Sequence, residues 1–131
     1  MTNRISTHMA DNKVLIIDDD NRNIFALSAV LRARGYQCLS AAGGEEGIDL
    51  LKQDKEISVV LMDMMMPGMD GYQAMEVMSK DPDLKEIPVI AVTAQAMLGD
   101  RERCLEAGAV GYVSKPINVD ELTNLLTRYL T

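Results

Sequence analysis

Val14-Leu15-Ile16-Ile17-Asp18-Asp19-Asp20 is the stretch that decides the fold. An unbroken β-favouring apolar run suits a strand covered on both faces, as in a parallel sheet. This one runs straight into acids, so the acids stand at the strand's end. The pattern recurs downstream. Residues 57–62 lead into Asp63, Val89 to Val92 lead into Thr93, and Val110 to Val113 lead into Ser114-Lys115-Pro116. Gln37 to Ala41 reads as a shorter second strand.

Helical patterns fill the intervals. Asn21 to Arg34 places Ile24, Leu27 and Leu31 at helical spacing, with Gly35 as a C-terminal cap. Gly43-Gly44 breaks the chain before a helix over Glu45 to Gln53, with Ile48 and Leu51 inward. Pro67, Gly68 and Gly71 mark a loop before Tyr72 to Lys80, where Met75 and Met78 share a face. Pro82 and Pro88 bracket a surface connection. Met97 to Ala107 is a fourth helix, closed by Gly108. Asn118 with Glu121 forms a capping box for a fifth helix, with Leu122, Leu125, Leu126 and Tyr129 as its stripe. Five strand–helix units predict an α/β fold: a doubly wound, five-stranded parallel sheet of flavodoxin-like order 2-1-3-4-5. Residues 1–11 are polar and aperiodic and are expected to form a flexible tail; residues 12–131 form one domain.

Composition narrows the function. The chain has 131 residues, 13 basic and 20 acidic, for a net charge of −7. That balance argues against broad binding to nucleic acid or anionic membranes, which needs cationic patches. No apolar stretch approaches the ~20 residues of a membrane span, and no secretory leader is visible. Cys38 and Cys104 sit in apolar runs without metal or redox spacing, so buried free thiols in the cytoplasm are expected. One histidine, His8, cannot complete a zinc site with them.

Ligands in such sheets bind at the carboxyl ends of the strands, near the switch in strand order. Strands one and three would be neighbours there, so their acids would meet. Clustered carboxylates repel one another, and a hard divalent cation such as Mg²⁺ relieves them. Thr93 and Lys115 would arrive from strands four and five. An ammonium and a hydroxyl beside a metal suit a phosphoryl group, and an Asp can form an aspartyl phosphate. Strand alternation leaves Asp18-Asp19 and Asp19-Asp20 both open as the metal pair.

These residues carry a resemblance. Apolar strand-Asp18-Asp19, then Val60-Leu61-Met62-Asp63-Met64-Met65-Met66-Pro67-Gly68-Met69-Asp70-Gly71, then Val92-Thr93-Ala94, then Tyr112-Val113-Ser114-Lys115-Pro116 resemble the response-regulator receiver domains of bacterial two-component signalling. The likeness covers residues 13–130. It implies that Asp63 accepts a phosphoryl group from a phosphohistidine on a partner, a histidine kinase or histidine phosphotransfer protein. It implies Mg²⁺ on Asp18, Asp19, Asp63 and the backbone carbonyl of Met65, which chooses between the two acid pairs and leaves Asp20 without a role. Lys115 would pair with Asp63 and then with the phosphoryl group. Thr93 and the backbone amides of Met64 and Ala94 would hydrogen-bond that group. Tyr112 would follow Thr93 inward and change the surface of the fourth helix, fifth strand and fifth helix for a downstream protein or a phosphorylation-dependent dimer. The Lys115-Pro116 peptide would be cis. Such a protein is a phosphoacceptor taking part in its own phosphorylation and dephosphorylation, not a turnover enzyme.

Two further readings frame this one. No DNA-binding or catalytic output segment is expected after the fifth helix, which leaves a free-standing receiver or one excised from a hybrid kinase or larger regulator. The rival function is a small phosphatase of haloacid-dehalogenase type, from Asp18-x-Asp20, a Thr and a Lys. It lacks room for a cap, and its second acidic pair would fall at Asp120-Glu121, inside a helix.

Overall fold

In the computed structural model, residues 13–94 and 98–129 are described. The expected tail lies outside them. The elements run β1 (Lys13–Ile17), α1 (Asn21–Ala33), β2 (Gln37–Ala41), α2 (Gly44–Gln53), β3 (Val59–Asp63), α3 (Gly71–Lys80), β4 (Val89–Thr93), α4 (Asp100–Glu106), β5 (Gly111–Ser114) and α5 (Val119–Tyr129). The strands form one parallel sheet in the order β2-β1-β3-β4-β5, as the alternating pattern predicts.

The sheet sorts its side chains by parity. Val14, Ile16, Leu61 and Val92 point to a core shared with Leu31 of α1 and with Leu122 and Leu126 of α5. Leu15, Ile17, Val60 and Met62 point to the opposite core, with α2, α3 and Cys104 of α4. Both faces are therefore covered, which is why β3 and β4 are buried throughout. The edge strands β2 and β5 are only partly buried, with β5 alternating. Cys38 and Cys104 are free and buried.

Several boundaries differ from the sequence reading, each for a local reason. The fourth helix starts at Asp100, not at Met97, which lies outside the described residues. Gly99 has φ 86°, a left-handed turn that no helix interior contains, and Leu98 is fully exposed. β3 begins at Val59: Ile57 still enters the core, but from the preceding turn. β5 begins at Gly111, although the Val110 amide already bonds to Val89. In α5, Asn118 accepts from the Glu121 amide at 3.0 Å, so that half of the cap forms. Tyr129 does not join the core. It is more than a third exposed, and its hydroxyl donates to the Val110 carbonyl.

Candidate functional site

β1 and β3 pair in parallel register, with Ile17 opposite Met62. The next residue on each strand is an acid, so Asp18 and Asp63 stand side by side. The chain turns after Asp18, whose Oδ1 accepts the Asp20 amide at 2.8 Å. That turn separates the three acids. Asp18 is buried, Asp19 is exposed beside it, and Asp20 faces away and caps α1 by accepting the Arg22 amide at 2.9 Å. One carboxylate oxygen each from Asp18, Asp19 and Asp63 lies within 4.8 Å of the others. Asp20 is outside this cluster.

Lys115 approaches from the end of β5. Its amide donates to the Thr93 carbonyl at 2.7 Å, and its peptide to Pro116 is cis. Its ammonium lies 3.2 Å from Asp18 Oδ2 and 3.6 Å from Asp63 Oδ2. One cation is thus shared by two buried carboxylates, with a third acid beside them. The remaining negative charge and the spacing of the oxygens fit a hard divalent ion with oxygen ligands.

Asp63 accepts the Met65 amide on Oδ1 at 3.1 Å. Burial nevertheless pushes its carboxyl up to about 6; Asp18 adds to the rise, while the Met65 amide and Lys115 oppose it. The folded protein therefore holds this proton more tightly than the unfolded chain, where an Asp titrates near ~4. Without metal, the stabilisation is fully present below about pH 4 and is lost as the pH rises through about 6. Asp63→Asn lacks this dependence. Urea unfolding in a chelating buffer at pH 5 and pH 7.5 should show wild type losing about 1 kcal/mol relative to the variant. Parallel pH curves would refute the assignment.

The remaining site residues fall into two groups. Thr93 is buried at the end of β4, opposite Ser114 of β5, and Ala94 follows it, exposed. The Met64 amide is a correction. It donates to the Val92 carbonyl at 2.9 Å, continuing the ladder between β3 and β4, and so is not turned to the Asp63 carboxylate. The amide that is turned there belongs to Met65, whose side chain is half-exposed. Tyr112 is half-buried, and its hydroxyl donates to Asp100 Oδ2 at 2.9 Å.

Two features have no counterpart in the sequence reading. The first is Asp100 as the partner of Tyr112; an acid in the first turn of a helix looks like an ordinary dipole partner. The second is a 240 Å³ cavity in which Asp18, Asp63, Lys115 and Asn23 meet apolar Leu27 and Ile117.

A buried carboxylate paired with a lysine at the head of a parallel sheet, beside two further acids, places the chain in the doubly wound class with its candidate site at the strand ends. The model of the response regulator receiver domain matches residues 14–127, and the chain belongs to that family. Over 118 residues it is 36% identical to the protein PilH of Pseudomonas aeruginosa, covering 90% of this chain and 97% of PilH. It is 35% identical to the polar-differentiation response regulator DivK of Brucella anthropi, covering 89% of this chain and 94% of DivK. Among solved structures it resembles the receiver domain of a Pseudomonas aeruginosa sensor histidine kinase. The identity there is 33%, the TM-score 0.82, and the coverage 91% of this chain and 97% of the other. That structure has a magnesium ion coordinated in its active-site cleft.

The protein is accordingly a phosphorylation-dependent signalling switch. Receiver domains of two-component systems work between histidine kinases and downstream targets. The haloacid-dehalogenase reading gains no support from these matches. Among the described residues, no helix is long and apolar enough to cross a membrane.

Proposed function

We propose that Asp63 is the phosphoacceptor and that the donor is a phosphohistidine on a histidine kinase or a histidine phosphotransfer protein. The observation that carries this is the buried Asp63 carboxylate, 3.6 Å from the Lys115 ammonium and beside two further acids. An Asp63 oxygen attacks phosphorus, and the bond from phosphorus to the imidazole nitrogen breaks, its electron pair leaving with the nitrogen. Lys115 moves its charge from the carboxylates to the phosphoryl oxygens. The Thr93 hydroxyl and the amides of Met65 and Ala94 would donate to the phosphoryl oxygens, the Met65 amide already donating to Asp63 Oδ1. Asp18, Asp19, Asp63 and the Met65 carbonyl would hold Mg²⁺, which when bound offsets charge on the transferring group.

The aspartyl phosphate adds about two negative charges at the strand ends. Thr93 is drawn toward them, Tyr112 follows, and the surface of α4, β5 and α5 changes for a downstream protein or for a second copy of the chain. The protein assists its own phosphorylation and dephosphorylation without turning over a substrate, and it works in the cytoplasm.

Intact mass after incubation with a small-molecule phosphodonor tests this reading. One phosphoryl group is expected with Mg²⁺ and none with chelator; gain that ignores the metal would count against it. Met65 bears on the lifetime of the product, because its apolar side chain stands two residues past Asp63 and hinders hydrolytic water. Met65→Asn should shorten the phosphate's half-life several-fold, read as loss of the added mass over time. An unchanged half-life would remove that role.

A further inference from the structure

The first turn of α4 is tied to β5 by one polar contact, from the Tyr112 hydroxyl to Asp100 Oδ2 at 2.9 Å. The helix has little stability of its own. It is seven residues long, and Gly99 ahead of it offers no side-chain cap. Its placement therefore depends on neighbours. On the α3 side, Arg103 lies 4.5 Å over the Tyr72 ring, and the Tyr72 hydroxyl meets Cys104 Sγ at 3.5 Å. On the β5 side, the contact is Asp100 with Tyr112.

The Asp100 contact has two properties of a restraint. Its acceptor is a carboxylate, and its environment is partly desolvated, both of which strengthen a hydrogen bond. Burial and the bond to Asp100 push the Tyr112 hydroxyl up to about 12, so it stays a donor throughout the neutral range. The contact also lies on the path of the switch. Tyr112 faces Ala91 in the sheet, two residues before Thr93, and Lys115 follows three residues after Tyr112.

We infer that Asp100 is a positioning residue that holds Tyr112 and the first turn of α4 in the arrangement that accompanies a free Asp63 carboxylate. It thereby sets how readily the switch is thrown. The inference rests on the proposed phosphorylation of Asp63 and adds a regulator to it. A contact made in one of two arrangements biases the equilibrium by its own strength, and a ligand that favours the other arrangement binds more weakly for it. Removing the contact must then favour the phosphorylated form.

The test is the affinity of the intact protein for beryllofluoride, a phosphoryl mimic, with Mg²⁺ present. Asp100→Ala and Tyr112→Phe should each tighten binding about tenfold. The double variant should gain no more than either single one, since both remove the same bond. Asp100→Asn keeps an acceptor oxygen and should lie between wild type and Asp100→Ala. Hydrogen exchange without the mimic gives an independent readout: Asp100→Ala should speed exchange at the Arg103 and Cys104 amides. Unchanged or weaker binding in Asp100→Ala, or additive gains in the double variant, would overturn the role of Asp100 and leave the phosphoacceptor intact. Failure of wild type to bind the mimic at all would overturn both.

Discussion

Asp63→Asn should gain no phosphoryl group under conditions in which wild type gains one. The amide keeps the shape of the side chain but lacks a carboxylate oxygen to attack phosphorus, so the loss should be complete within detection. Asp18 and Asp19 do not substitute. Asp18 pairs more closely with Lys115, at 3.2 Å against 3.6 Å for Asp63, which makes its oxygen the weaker nucleophile, while Asp19 lacks the Lys115 contact. Unfolding is not a competing explanation. The substitution removes one of two buried like charges, and the pH argument above makes the variant the more stable form in metal-free buffer near neutrality. Intact mass with phosphodonor and Mg²⁺ reads both proteins at once. A variant phosphorylated to the wild-type extent would show that the phosphate sits elsewhere.

Gly71→Ala carries the second large effect. A Cβ at this position would meet Met64 Sδ at 2.5 Å, Met64 Cα at 2.8 Å and the Asp63 carbonyl at 3.0 Å. Two opposing magnitudes decide the sign. Alanine in place of glycine in a helix gains up to about 1 kcal/mol. Overpacking against atoms that cannot rotate away costs about 1–3 kcal/mol. Met64 could move its sulfur, but its Cα and the Asp63 carbonyl are backbone, so the clash should win. The urea midpoint should fall. The displaced atoms belong to Asp63 and the residue after it, so phosphorylation at the proposed position should also slow, by more than the loss of folded protein explains. A variant as stable and as quickly phosphorylated as wild type would show that α3 and the Asp63 loop separate freely. Gly44 and Gly47 offer a contrast, because their nearest neighbours are the side chains of Met69 and Ile17.

The sheet was legible because its signal is one-dimensional. Apolar runs such as Val14 to Ile17 have no alternation to misread, and every acid or lysine after them lies at the same edge. The order of the strands then brought Asp18, Asp63 and Lys115 together without further information. What the sequence concealed was the backbone between elements. Met97 and Leu98 look like a helical face, yet Gly99 turns left-handed and leaves Leu98 in solvent. The Met64 amide appears available until the sheet is seen to extend one bond further, to Val92. The bond from Tyr112 to Asp100 joins residues that no periodicity links.

The turn after β1 has a consequence for how this chain tolerates change. Three consecutive aspartates look interchangeable, but each answers to a different neighbour. At position 20 the requirement is an oxygen that accepts a backbone amide, so Asn or Ser would serve and only loss of the acceptor would fray α1. At position 18 the requirement is charge, because Lys115 leans on it. Mutational drift should therefore pass through position 20 and stall at position 18, two residues away on the same turn.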